Sequence, residues 1–367
     1  RSIELEKKGK KIIHLSLGQP DFPTPKNIIN AAKKALDDGY HGYTPSNGFL
    51  SLREEVAKDS LRRYNVNVSP ENILIVPGGK PIIFFSILMF GEKDAEIIYP
   101  DPGFPIYKSV IDYVGAKAVP LILKEKDNFE VDVETMASLI NEKTRLIIIN
   151  NPNNPTGAFM KKNKIDQIAK ALEKFPNAAI LSDEIYSRLI FDDEQMPSFL
   201  KYPSLRDRLI VLDGWSKTFC MTGWRLGWGI WPSSMIEYAN ILAVNDHSCA
   251  NAVSQMAGIE ALKGDQKEVD RIAKEFEERR NLIYEGLNSF KNIECFKPGG
   301  AFYAFPNISK TGMTGEEFAR KALEEYGVAL VSGSSFGDSV NDFVRFSFAN
   351  SKENISKALK ILDKMCN

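Results

Sequence analysis

The chain has 367 residues, more than a single hydrophobic core usually serves, so two domains are expected, one of them large. Lysine plus arginine number 47 against 48 aspartate plus glutamate, a net charge of -1, which gives no electrostatic basis for binding nucleic acid or a membrane surface. Four cysteines, Cys220, Cys249, Cys295 and Cys366, show no C-x-x-C spacing, so neither a zinc or other metal site nor a disulfide framework is indicated and a reducing cytoplasm fits. The longest apolar run, residues 82–90 around Ser86, is far short of the roughly 20 residues a membrane helix needs, and no signal peptide is visible.

In chain order, residue 1 is arginine and residues 2–11 read as the end of a charged helix, so an N-terminal arm is expected to precede them. His14 to Leu17 reads as a short strand entering Gly18-Gln19-Pro20-Asp21-Phe22-Pro23-Thr24-Pro25, a loop stiffened by its prolines. Gly18 would let backbone approach a ligand closely, although a plain turn explains the segment equally. The next helix carries Ile28, Ile29, Ala32, Ala35 and Leu36 at helical spacing and stops at Gly39. The loop from Tyr40 to Gly48 is dense in turn formers and holds two tyrosines, Tyr40 and Tyr43, of the kind that serve interfaces.

After a helix over 50–64, residues 72–76 read as a strand that ends at Pro77-Gly78-Gly79-Lys80 before an apolar helix. A strand, a glycine pair and a helix start have the form of an anion site, with backbone N–H groups facing a phosphate. The match to a Walker A loop is poor, and residues 223–229 do not give G-x-G-x-x-G, so nucleotide cofactors are not favoured.

From Glu96 onward apolar strands and helices alternate, which indicates a mostly parallel sheet covered by helices. Functional residues should then gather at the carboxyl ends of the strands. The informative segments lie there: Pro100 to Tyr107, with Phe104; Asn150 to Gly157, with Asn154; and Ser182-Asp183-Glu184-Ile185-Tyr186. The run Leu209–Leu212 reads as a buried strand that delivers Lys217 into the aromatic, glycine-rich stretch from Gly214 to Trp228. Desolvation there would lower the amine's pKa and make it a nucleophile, and Arg225 is a fixed cation suited to a phosphate. Taken alone, this stretch fits a solvated surface loop as well.

Past Trp228 the alternation fades. Residues 265–290 read as one long amphipathic helix, followed by a helix over 316–326, strands over 328–331 and 343–348, and a last amphipathic helix. The expected division is a large domain over 35–265 and a small α+β domain made of 1–34 and 266–367. Arg345 interrupts an otherwise apolar strand and is either paired with an acid or waiting for one.

Together the strand-end groups offer a ring to stack on (Phe104), an amide (Asn154), a carboxylate (Asp183), a phenol (Tyr186), a lysine (Lys217) and phosphate anchors (Gly79, Arg225). These are the requirements of pyridoxal phosphate, whose ring accepts a carbanion's electrons when its nitrogen is kept protonated.

Over essentially its whole length the chain resembles the fold-type I pyridoxal-phosphate enzymes, in particular class I/II aminotransferases of aspartate-aminotransferase type. The carrying motifs are Asn154-Pro155-Thr156-Gly157, Asp183-Glu184-Ile185-Tyr186, Ser216-Lys217 with Gly223-Trp224-Arg225-Leu226-Gly227, and Arg345-Phe346-Ser347. The resemblance implies a mostly parallel seven-stranded sheet with helices on both faces and a homodimer with shared active sites. It also implies that Lys217 is the Schiff-base lysine, Asp183 the partner of the ring nitrogen, Asn154 and Tyr186 the partners of the ring oxygen, and Phe104 the stacking residue. Gly79, Lys80, Ser216 and Arg225 would hold the cofactor, and Tyr43 would reach its phosphate from the other subunit. Arg345 would grip the substrate α-carboxylate with Gly18 and Asn154 beside it. The serine or threonine that many relatives carry two residues before Ser216 is Gly214 here, so that phosphate anchor is lost or supplied from elsewhere.

The implied reaction is transamination between an L-amino acid and a 2-oxo acid, with aspartate or glutamate as donor. The segment 244–251 lacks the arginine that some relatives use for a distal carboxylate, and Lys80 stands where another branch places a lysine for that purpose. Aromatic or kynurenine transamination, to which Phe22, Phe302 and Tyr303 near the expected pocket would be suited unless they serve packing, which fits them equally, and a β-lyase remain open. A non-catalytic regulator is disfavoured because no basic patch or DNA-binding extension is present.

Overall fold

In the computed structural model, which describes residues 1–366, seven strands form one sheet. Their order is Ile73–Val76, Gly227–Ile230, Leu209–Gly214, Ala179–Asp183, Thr144–Asn150, Glu96–Asp101 and Lys117–Ile122. Gly227–Ile230 is antiparallel to both neighbours, and every other pairing is parallel.

The strands are apolar throughout because both faces are covered, and successive side chains alternate between those faces. Ile73, Ile75, Ile147 and Ile149 enter the core on one side, and Leu74, Val76, Leu146 and Ile148 enter the core on the other. One consequence positions the site. The carboxyl ends of the parallel strands lie along a single edge, and the antiparallel strand begins there, since Gly227 pairs with both Val76 and Gly214.

A second core surrounds the long helix Lys267–Asn288 and the helices Gly315–Glu324 and Lys352–Cys366. It includes an antiparallel sheet of Val331–Ser332, Val344–Ser347 and Tyr303–Ala304. The N-terminal segment joins this body, for Ile13–His14 pairs in parallel with Val328–Ala329. The expected strand over 328–331 is therefore two short strands with different partners.

The region where alternation fades holds the strand Gly227–Ile230 and the helices Ile236–His247 and Ala252–Lys263. Neither helix carries a single apolar stripe, so periodicity had nothing to report. Among the described residues no helix is long and apolar enough to cross a membrane.

Ile148 is completely buried between strands and helices. Ile148→Ala should cost about 2–5 kcal/mol, read as a lowered midpoint of chemical unfolding. Lys33→Ala on an exposed helix face should stay within about 0.5 kcal/mol of the parent.

Candidate active site

At the carboxyl edge of the large sheet, against the second core, lies a cavity of about 280 Å³. Lys217 reaches it from the short helical turn Trp215–Thr218 that closes the strand Leu209–Gly214. Its Nζ donates to the Gly18 carbonyl at 2.5 Å and stands 5.7 Å from the Phe302 ring centroid. Burial, and after it the positive charges of Arg345 and Arg225, pull the amine down to about 8. A substantial neutral fraction near neutrality is what a nucleophilic or basic amine requires.

Asp183 ends the next strand. Its carboxylate accepts from Tyr107 Oη at 2.7 Å and from Ile185 N at 3.2 Å. Burial pushes it up to about 6 against those two bonds. Tyr186 shares a 2.9 Å hydrogen bond with Tyr303 Oη, and its phenol is held well above the usual range by burial and by that neighbour.

The asparagine-rich end of Thr144–Asn150 is wired to itself. Asn150 donates to the Asp183 carbonyl at 3.1 Å and accepts from Asn154 N at 2.9 Å, while Asn153 accepts from both the amide and the hydroxyl of Thr156. This fixes Asn154, whose Oδ1 accepts from Arg345 at 2.8 Å.

Among the described residues Arg345, 7% exposed, has no acid as partner. Its other terminal nitrogen donates to the Ser16 carbonyl at 2.7 Å, and its buried Nε has no hydrogen-bond partner. Of the two readings left open by the sequence, pairing with an acid is not what the described residues provide: the guanidinium bonds neutral oxygens only. An unpaired buried donor costs roughly 1–3 kcal/mol, which a carboxylate would recover.

Arg225 donates to the Thr222 and Pro77 carbonyls at 2.9 and 3.3 Å. Gly78 makes this approach possible: its φ is +80°, and a Cβ there would lie 2.2 Å from an Arg225 nitrogen. Gly79 and Lys80 follow at the start of the helix Lys80–Phe90, with Lys80 Nζ 5.7 Å from the centroid of Phe104.

Of the residues singled out from the sequence, Gly18, Gly79, Lys80, Phe104, Asn154 and Asp183 line this one cavity. So do Tyr186, Ser216, Lys217, Arg225 and Arg345. Tyr43 does not; it is 92% exposed and belongs to no wall of its own chain's cavity.

For the aromatic trio, pocket or packing by the sequence, the structure separates the two roles. Tyr303 lines the cavity, whereas Phe302 is fully buried against Phe276 and Phe22 packs on Phe276 and the Arg279 guanidinium. Tyr107 and Thr222 are wall residues the sequence reading passed over. Tyr107 had a signal: it stands one helical turn beyond Phe104, so its phenol faces the same space.

An amine near neutrality, an oriented carboxylate and an unpaired arginine at the edge of an α/β sheet define a site for chemistry on amino groups and anions. Comparison with known proteins agrees. The family model described as aminotransferase class I and II matches residues 10–362. An aspartate aminotransferase of Pyrococcus horikoshii is 39% identical over 99% of this chain and 92% of its own length. The aromatic-amino-acid aminotransferase 2 of Thermococcus litoralis is 35% identical over 96% and 91%. The crystal structure of an aromatic aminotransferase from Pyrococcus horikoshii superposes with a TM-score of 0.94 at 33% identity, covering 100% of this chain and 98% of that one. The chain belongs to the class I and II aminotransferases, and it catalyses transamination.

Because Lys217 is held at about 8, its reaction with a small aldehyde should accelerate as pH rises and level off above that value. Arg345 lowers the amine and Asp183 raises it. Arg345→Gln should therefore move the midpoint up and Asp183→Asn move it down, measured by trapping the adduct with borohydride and counting modified Lys217 by mass spectrometry.

Proposed function

We propose that the cavity binds pyridoxal 5'-phosphate and that the enzyme moves the amino group between a dicarboxylic L-amino acid, aspartate or glutamate, and a 2-oxo acid. One observation carries this reading. Four cations, Lys80, Lys217, Arg225 and Arg345, face a single carboxylate, Asp183, across the cavity walls, so the ligands that complete it carry several negative charges.

The residues present fit the cofactor. Asp183, buried and bonded to neutral donors, suits a protonated ring nitrogen, and Phe104 offers a ring face. Arg225, Ser216 and the Gly79–Lys80 helix start suit a phosphate, and Thr222 on the same walls offers a hydroxyl in place of the one missing at Gly214. The cofactor, when bound, supplies an electron sink for charge developing at the substrate Cα.

The chain does the rest. Arg345 receives the α-carboxylate through its outward N–H groups, which orients the Cα–H bond. Lys217 would hold the cofactor, and its Nζ, as a free amine, would act as general base on the Cα proton. Asn154 accepts from Arg345 through Oδ1, so its donor end serves the cofactor's ring oxygen together with Tyr186. Lys80 is the cation left over for a side-chain carboxylate.

We further take the assembly to be a homodimer in which Tyr43 of one subunit reaches the phosphate site of the other; the exposure of Tyr43 and of Phe84, Leu88, Tyr238 and Ile241 supports this. Residues 35–265 would form the cofactor domain and 1–34 with 266–367 the small one, supported by the pairing of Ile13–His14 with Val328–Ala329. The four unpaired cysteines suit a reducing cytoplasm. An aromatic substrate is the second reading, favoured by the Phe104 and Tyr303 walls and by the relatives named for that activity.

Mixing the cofactor-loaded enzyme with single amino acids and no 2-oxo acid separates the two. Aspartate and glutamate should bleach the cofactor's visible band, with Lys80→Gln weakening their affinity by about tenfold; bleaching by phenylalanine alone would overturn the dicarboxylate reading. Lys217→Ala should abolish both the band and transamination. Arg345→Ala should raise the amino-acid KM by roughly 30-fold or more with cofactor retention on dialysis unchanged.

A further inference from the structure

Phe104, a wall of the cavity, and Phe336, which packs on the wall residue Arg345, come from distant parts of the chain and are tied together just outside it. Phe104 follows the strand Glu96–Asp101 by a short turn, and Phe336 precedes the strand Val344–Ser347. Gly103 N nevertheless donates to the Phe336 carbonyl at 2.8 Å.

Beside this bond Asp101, 3% exposed, turns its carboxylate toward the segment 337–339. Ser339 Oγ donates to Oδ1 at 2.6 Å, and Asp338 N donates to Oδ2 at 3.4 Å. The approach is so close that a Cβ on Gly337 would lie 2.0 Å from Oδ1, so glycine alone fits there. A buried carboxylate is costly unless it is well bonded, and this one spends its bonds on a segment more than 230 residues away in sequence.

That segment begins at Phe336, whose ring centroid lies 4.6 Å from the Arg345 guanidinium carbon; the Tyr303 ring lies at 4.4 Å. Hydrogen bonds to Asn154 and Ser16 hold the terminal nitrogens. Those two bonds orient the guanidinium, and the Phe336 and Tyr303 rings packed on it limit its tilt out of that orientation. The plane decides whether two N–H groups meet a carboxylate together.

We propose that Asp101 is a positioning residue for substrate binding: through Gly337, Asp338 and Ser339 it seats Phe336 against Arg345 and so limits the tilt of the arginine's plane for the α-carboxylate. The same contact fixes Phe104, two residues past cis-linked Pro102, relative to that arginine. This rests on the reading of Arg345 as the α-carboxylate ligand.

The test is steady-state kinetics of the cofactor-loaded enzyme with Asp101→Ala, Asp101→Asn, Ser339→Ala and the double variant Asp101→Ala/Ser339→Ala. Asp101→Ala should raise the KM for the amino donor by about tenfold, with kcat within about twofold and cofactor retention unchanged. Ser339→Ala should show the same split to a smaller degree. Asp101→Asn, which keeps an oxygen for Ser339, should recover most of the loss, and the double variant should be no worse than Asp101→Ala alone.

An unchanged KM in both Asp101→Ala and Ser339→Ala overturns the proposal. Parallel loss of cofactor and substrate affinity does too, because it would mark general collapse of the edge. Should Asp101→Ala fail to fold, Ser339→Ala carries the test with one hydroxyl removed. Arg345→Ala in the same series separates the two claims: if it leaves KM unchanged the α-carboxylate reading falls, and if it alone raises KM only the positioning role of Asp101 falls.

Discussion

Like charges gathered in one cavity repel, and the way this chain holds them governs the rest of the site. Three of the four cations are oriented by neutral carbonyl oxygens: Lys217 by Gly18, Arg345 by Ser16 and Asn154, Arg225 by Thr222 and Pro77. A carbonyl fixes direction without quenching charge. The field therefore stays available to an anionic ligand, and the repulsion persists until one binds. Lys217 registers it directly, since Arg345 and Arg225 act with burial to depress its amine. Two of the carbonyls come from residues 16–18, so the N-terminal loop takes part in the chemistry as well as in the fold.

The arrangement depends on strand direction. Parallel strands deliver their carboxyl ends to one edge, and residues from five segments far apart in sequence meet there. That much was legible before the structure, because doubly buried strands are written as continuous β-branched runs. Candidate functional residues were legible for a related reason: a polar residue shortly after such a run, like Asp183 beyond Ile180-Leu181 or Lys217 beyond Leu209–Leu212, has little packing reason to be there.

What escaped the sequence is what tertiary contact decides. The antiparallel strand Gly227–Ile230 follows a glycine-rich stretch that reads as loop, and its direction is set by pairing with Val76 and Gly214 alike. The helix Ala252–Lys263 is buried on much of its circumference, whereas Ile236–His247 leaves apolar Tyr238, Ile241 and Val244 exposed, so neither shows a single apolar stripe. Tyr107 is only an aromatic near Phe104 until Asp183 is brought to 2.7 Å from its hydroxyl. Phe302 and Phe22 show the same limit: aromatic character left pocket and packing open, and contact with Phe276 and Arg279 decides for packing.

Adjacent acids at the strand ends show how the charge is kept apart. Asp183 faces the cavity, while its neighbour Glu184 turns away and accepts from Ser182 and Ser198 at 3.0 and 2.9 Å. Asp213, four residues before Lys217, likewise turns away, to Ser187 at 2.6 Å and to Arg63 at 3.5 Å. Burial raises Glu184 to about 7 and Asp213 to about 6, and Arg63 is the cation set among them. Acids thus lie behind the strand ends and cations in front. Had Glu184 or Asp213 faced forward, either would have paired with Lys217 or Arg225 and closed the cavity to anions. A single-residue register at each strand end, fixed by serines on one side and carbonyls on the other, is what keeps the front of the site positive.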